Sequence, residues 1–123
     1  MGHVALVLVF RNTASTDCVL RGYPGVTPYA GAEQGTPAHR TLNGYMGGAA
    51  RVHDVLLRPG SVASAMVEGS DVPTGSNHGC PDYTKLVVTP PNLHDGTPLH
   101  VRLPGCARLT VHPVVDGSHG RDF

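Results

Sequence analysis

Residues 4–10 read V-A-L-V-L-V-F, an unbroken apolar run rich in valine. A continuous apolar run of this length is compatible with either a strand covered on both faces or a buried helix. The β-branched side chains, and the polar break N-T-A-S at residues 12–15, favour the strand. Similar short runs recur between 16 glycines and 11 prolines, and no segment keeps a helical period. The sequence therefore predicts an all-β domain.

The same pattern gives about seven or eight short strands at turn spacing, which is typical of a β-sandwich with Greek-key connections. The predicted strands cover residues 4–10, 18–20, 26–29, 51–57, 61–68, 84–89, 99–103 and 108–115, with a weaker one near 36–40. Arg58-Pro59-Gly60 indicates a tight turn, so the strands on either side of it are expected to form a hairpin. The 123 residues suit one domain at residues 1–116, with 117–123 as a frayed tail.

The charge balance argues against several classes of partner. Nine Lys and Arg residues balance nine Asp and Glu residues, and the sequence shows no basic stripe. A nucleic-acid-binding protein normally carries such a stripe, so we expect no nucleic-acid partner. The apolar start has no basic leading region and is too short to cross a bilayer as a helix. We therefore expect neither a signal peptide nor a membrane span within this chain.

The sequence contains none of the common catalytic motifs. The S-x-x-K, G-x-S-x-G and phosphate-loop patterns do not occur, and the carboxylates are scattered singly, mostly at turns. Pairs of carboxylates formed in space stay open as an alternative. We expect no enzyme activity, no catalytic residue, no cofactor and no cofactor-binding residue.

Eight histidines raise the question of a metal site; they are His3, His39, His53, His78, His94, His100, His112 and His119. None forms an H-x-x-x-H pair or an H-E-x-x-H motif, so no metal ligand is assigned. His78 with Cys80 comes closest to a ligand pair. His100 and His112 lie on strands that could be neighbours and could bind zinc weakly, but solvent-facing strand histidines are the favoured interpretation. A histidine-based metal-binding protein, or an uncharacterised enzyme, is the alternative function.

Four stretches together resemble a known family. They are F-R-N-T-A-S-T-D-C-V-L-R-G-Y-P-G-V at 10–26, L-L-R-P-G-S-V-A-S-A at 56–65, C-P-D-Y-T-K-L-V-V-T-P-P at 80–91 and C-A-R-L-T-V-H-P-V-V-D-G at 106–117. In order and spacing they resemble the actinobacterial secreted and lipoprotein-borne domain of unknown function 4232. The resemblance implies an immunoglobulin-like sandwich outside the cytoplasmic membrane, extracellular or in the cell envelope, and it implies no activity.

Members of that family usually carry four cysteines, whereas this chain has three. The resemblance implies that the first of the four would lie on a strand before Gly2, which this chain lacks. The former neighbour of that strand would then present unpaired backbone groups, which recruit another chain or are shielded by a loop. We expect a homodimer or strand exchange through the apolar run at residues 4–10.

Cys80 and Cys106 each precede a predicted strand, and those two strands could be neighbours. The expected disulfide between them has two reduced, buried thiols as its alternative, and an exported location favours the disulfide. Cys18 opens the stretch C-V-L-R-G-Y-P-G-V, in which a proline between two glycines indicates a bend. No local signature supports a cysteine hydrolase. The resemblance implies that Cys18 has lost its partner, so we expect it to be a reachable free thiol.

Together these expectations describe an exported cell-envelope module that is binding or structural rather than catalytic. Its partner is an unknown protein or envelope ligand. The loop at 31–48, with Tyr29 and Tyr45 nearby, is the candidate contact surface, and a plain flexible loop is the alternative. A product that functions only as an oligomer is a further option.

Overall fold

The computed structural model describes residues 2–44, 46–72 and 79–121. Within these ranges the chain is all-β and contains no helix. In chain order the strands are β1 His3–Arg11, β2 Cys18–Arg21, β3 Gly25–Ala30, β4 Glu33–Gln34, β5 His39–Arg40, β6 Asp54–Leu57, β7 Val62–Ser70, β8 Asp82–Tyr83, β9 Lys85–Thr89, β10 Thr97–Leu99, β11 Leu103–Pro104, β12 Thr110–Val111 and β13 Val115–Asp116.

The first sheet is built around β7. β1 pairs antiparallel with β7 along all nine of its residues, from His3 opposite Ser70 to Arg11 opposite Val62. Both β12 and β13 pair with the other edge of β7, and β5 joins β12 in parallel. Among the described strands, β7 is thus flanked on both edges, whereas β1 has a neighbour on one edge only.

A second sheet has the strand order β10-β9-β3-β4, and two short antiparallel pairs, β2 with β6 and β8 with β11, complete the set. The two larger sheets face each other and bury one apolar cluster between them. Its members include Leu8, Val67, Val111 from the first sheet and Val26, Leu86, Val88 from the second. A smaller cluster, formed by Leu20, Val55, Leu57, Ala63, Ala65 and Val114, packs the β2–β6 pair against β7. Phe10 contacts both clusters.

The predicted hairpin around Arg58-Pro59-Gly60 is wrong, although the turn itself is present. Ser61 N donates to Arg58 O at 2.9 Å, and Gly60 adopts a φ of 83°. The chain then leaves one sheet for another, because β6 pairs with β2 while both edges of β7 are taken by other strands. The two strands that flank the turn therefore pack face to face instead of pairing edge to edge.

The strands are shorter and more numerous than the seven or eight predicted. The expected strand at 108–115 is two pieces, β12 and β13, with Pro113 between them. Because proline has no N–H to donate, it interrupts the ladder at that point. The expected strand at 99–103 is likewise divided between β10 and β11.

The C-terminal segment also differs from the expected frayed tail, as far as residue 121. Gly120 is buried, and its N–H donates to Ser64 Oγ at 2.8 Å. A Cβ on Gly120 would lie 3.1 Å from Val7 Cγ1, so the absence of a side chain permits this close approach. The segment therefore covers part of the outer face of the first sheet.

Candidate functional site

The disulfide joins Cys80 to Cys106, whose Cα atoms lie 4.7 Å apart across 26 residues of sequence. The strands that hold it are β8 and β11, and Gly105 N donates to Pro81 O at 2.9 Å beside it. The strands expected to be neighbours, at 84–89 and 108–115, instead lie in different sheets. The disulfide is present as predicted, but a different strand pair positions it.

Cys18 is a free, exposed cysteine at the start of β2, opposite Leu57 of β6. It stands on the rim of an apolar groove with a volume of about 400 Å³. Leu8 and Phe10 of β1 form one wall of this groove, and Leu99 of β10 forms the other. The groove therefore opens between an edge of the first sheet and an edge of the second.

The floor of the apolar groove consists of core side chains. Leu20 and Leu57, which line it, are only 7% and 2% exposed. On its rim, Val9 and Leu93 are 53% and 56% exposed, which is unusual for aliphatic side chains that converge on one concavity. The groove combines a hydrophobic interior with the edge of β1 that carries no partner strand among the described residues. A free strand edge offers a row of backbone donors and acceptors.

His112 is not the solvent-facing strand histidine that the sequence suggested. Its side chain is fully buried, and Nε2 lies 2.5 Å from Glu68 Oε2, whose side chain is 5% exposed. Met46 N donates to the other carboxylate oxygen, Oε1, at 2.8 Å. The pairing of His112 with His100 is also wrong, because His100 is exposed and follows β10 of the second sheet, while His112 follows β12 of the first.

Glycines make this burial possible. A Cβ on Gly48 would lie 2.6 Å from His112 Cγ, and a Cβ on Gly44 would overlap both Glu68 Oε2 and the His112 ring. Gly44 and Gly48 therefore approach the pair at a distance that no larger residue permits. Within the described residues, His112 Nδ1 is buried without a hydrogen-bond partner.

The hydrogen-bond network assigns the proton of His112 to Nε2, which donates to the Glu68 carboxylate. In that tautomer Nδ1 carries a lone pair and no proton. A buried lone pair without a donor costs less free energy than a buried N–H without an acceptor. A carboxylate that orients an imidazole is also a catalytic arrangement, but here Nδ1 faces Gly48 and is closed off from solvent. The pair acts as a clamp that holds the main chain at Gly44, Met46 and Gly48 to the sheet.

Glu68 is the residue that the sequence reasoning missed. Alternate side chains of a strand share a face, so in the predicted strand at 61–68 Glu68 lies on the same face as Ser64 and Met66. Ser64 and Met66 are both buried. A carboxylate two residues further along the same face was therefore the feature of the sequence that indicated a buried Glu68.

The other candidate residues are separated. Within the loop at 31–48, the described part contains β4 and β5, and Tyr29 donates to Gln34 Oε1 at 3.3 Å. Tyr45 and His78 lie outside the described residues. Over the part of the chain that is described, no three His, Cys, Asp or Glu side chains are grouped so that they could hold a metal ion. The same part contains no helix long and apolar enough to cross a membrane.

Comparison with known proteins gives one match. The model of a family described as a domain of unknown function, DUF4232, matches residues 1–115, which is nearly the whole chain. Searches of curated proteins and of solved structures gave no match.

Proposed function

The chain belongs to the DUF4232 family, and because membership assigns no activity, we propose its function from its own geometry. It is an exported, non-catalytic module of the immunoglobulin-like Greek-key type that binds an extended segment of another protein along β1. The observation that carries this proposal is the apolar groove beside the edge of β1 that has no partner strand among the described residues.

An extended segment laid along β1 satisfies both features of this surface. Its backbone hydrogen-bonds to the outer edge of β1, as in other cases of strand addition. Every second side chain then points toward the space between the sheets, because side chains alternate along a strand. Those side chains must be apolar, since Leu20 and Leu57 on the groove floor and Leu8 on its wall offer them no polar group.

A second copy of this chain fits the surface less well than a different protein. If two copies paired through fully overlapping antiparallel β1 strands, His3 of one copy would lie opposite Arg11 of the other. Such pairing would place one basic side chain opposite another at both ends of the ladder, which does not favour it. We therefore assign the groove to a strand from another protein, and the expected homodimer becomes the competing outcome of the test.

The proposed location is the extracellular space or the cell envelope. The Cys80–Cys106 disulfide supports it, because structural disulfides persist mainly in oxidising compartments. Fractionation of the source cells tests the location, with non-reducing peptide mapping of each fraction. Recovery of the protein in the cytoplasmic fraction with both thiols reduced would contradict it.

A fluorescent peptide of alternating valine and threonine tests the binding surface, with fluorescence anisotropy as the readout. Val9→Lys adds a charge at the edge of β1, where the side chain is 53% exposed and can be replaced without loss of core. Val19→Lys is the matched control, because Val19 is 54% exposed on β2 and does not line the groove. We expect Val9→Lys to weaken peptide binding about tenfold and Val19→Lys to leave it unchanged.

A second variant tests the groove itself. Ala14 is exposed on the groove wall, and Ala14→Trp should obstruct the groove without altering the core. We expect this variant also to lose peptide binding. Equal binding by all the variants, or no binding together with a dimer that Val9→Lys dissociates in light scattering, would refute the assignment to a foreign strand.

A further inference from the structure

A second concavity, separate in chemistry from the apolar groove, lies where several strands end. We refer to it as the polar groove; its volume is about 500 Å³, and Pro90 and Leu93 separate it from the apolar groove because they line both. Its polar side chains come from β2 and the bend after it, from β5, from the end of β9 and from the loop that follows. They are Arg21, Tyr23, Arg40, Thr89, Asn92 and His94.

The charge of this groove has one sign. Among the described residues, two guanidinium groups line it and no carboxylate does. Arg21 is held in place by Asp54, with Nη1 3.0 Å from Oδ1, but Asp54 itself lies outside the lining. A concave surface lined by positive charge raises the local concentration of anions.

Arg40 is the side chain of the polar groove that most favours the binding of an anion. Among the described residues its guanidinium forms no hydrogen bond or ion pair, unlike that of Arg21. A Cβ built on Gly25 would lie 3.9 Å from both Arg40 Nη2 and Thr89 Oγ1, so the guanidinium and the hydroxyl lie near the same side of this glycine. Both line the polar groove, where one oxyanion can accept hydrogen bonds from them.

Tyr23, Asn92 and His94 likewise form no side-chain hydrogen bond within the described part of the chain. Asn92 is held with a φ of 65°, a left-handed conformation that asparagine tolerates and that bends the loop around the groove. The ring of Tyr23 and the prolines at 90 and 91 supply apolar surface between these donors. The lining therefore offers convergent donors around a positive centre, together with a wall for the body of a ligand.

We propose that the polar groove binds a small organic oxyanion, with Arg40 and Arg21 on its phosphate or carboxylate group. Guanidinium groups match both of these oxyanions through paired N–H donors. Because Arg21 and Arg40 are exposed, binding is weak and weakens further as the salt concentration rises. This site does not depend on strand addition at β1, and the two can fail separately.

Two-dimensional amide NMR of the intact chain provides the test, with inorganic phosphate, glucose 6-phosphate and glucuronate as probes at constant ionic strength. Glucose is the neutral control and chloride the control for simple charge screening. We expect shifts at Gly22, Gly25 and Asn92 with the anions, and none with glucose. The two sugar acids distinguish a phosphate ligand from a carboxylate ligand, and saturable binding of either supports the proposal.

Arg40→Ala should weaken this binding about tenfold, and Arg40→Lys should restore only part of it, because a lysine cannot form the paired contact. Arg58→Ala is the matched control, since it removes the same charge from a turn outside the groove. The proposal is overturned if Arg40→Ala and Arg58→Ala act alike, if the shifts spread over the whole surface, or if no anion binds.

Discussion

His112 Nε2 lies 2.5 Å from Glu68 Oε2 in the interior of the protein, beneath a glycine-rich segment. The carboxylate also accepts the N–H of Met46 through its other oxygen. The pair therefore connects two strands of the first sheet to the loop that covers them. Its energetic importance follows from burial, because a buried polar group that loses its partner is costly.

Removal of Glu68 should destabilise the fold. Glu68→Ala leaves Met46 N and the His112 ring without their acceptor, and we expect a loss of about 3 kcal/mol in the free energy of unfolding. Urea denaturation measures this loss. Glu33→Ala, at an exposed position of β4, is the control and should cost little. Equal midpoints for the two variants would show that the clamp has no stabilising role.

A methyl group at Gly44 should displace the covering segment. The added Cβ would overlap Glu68 Oε2 and the His112 ring, so Gly44→Ala should destabilise the protein by about 2 kcal/mol. Gly79→Ala is a suitable control, because a Cβ there would meet no atom within 4 Å. Thermal unfolding compares the two, and a Gly44→Ala protein as stable as the Gly79→Ala protein would contradict the close packing described above.

The disulfide should contribute measurably to stability. Cys80→Ser combined with Cys106→Ser should lower the free energy of unfolding by about 3.5 kcal/mol in the chain-entropy model. Urea denaturation of oxidised wild type, reduced wild type and the double variant provides the measurement. Identical urea denaturation curves for all three proteins would show that the disulfide does not stabilise the fold.

Cys18 should react in the folded state, because it is exposed on the rim of the apolar groove. We expect rapid modification by a maleimide and slow formation of covalent dimers in air, which a reductant dissolves. Cys18→Ser should keep the fold and lose the dimers. If it abolished a specific activity while circular dichroism stayed unchanged, Cys18 would have to be reconsidered as a nucleophile.

Local patterns predicted the strands well and their partners poorly. The run at 4–10 forms β1, because its apolar side chains alternate between the two faces of the sheet and all except Val9 are at least partly covered. The predicted hairpin around 58–60 does not form, because a strand can pair only with an edge that is free. Both edges of β7 are occupied, one by β1 and the other by the 110–116 segment. That competition involves residues far apart in the sequence.

The sites were harder to predict than the strands. The apolar groove joins segments of five separate strands, so no single stretch carries its signature. His112 was read as exposed because the segment that covers it has glycines instead of an apolar period. A covering segment of this kind has no hydrophobic pattern by which it could be recognised in the sequence.

The position of β7 has a consequence for how the chain folds during synthesis. β7 pairs with residues 3–11 on one side and with residues 110–116 on the other, so all of its ladders join distant parts of the chain. Pairing at such sequence separation is slow, because loop closure must precede it. A nascent chain can form only one side of the sheet until residues 110–116 have left the ribosome. The disulfide likewise cannot form before Cys106 has emerged, so closure of the sheet and oxidation of Cys80 both depend on the stretch 106–116.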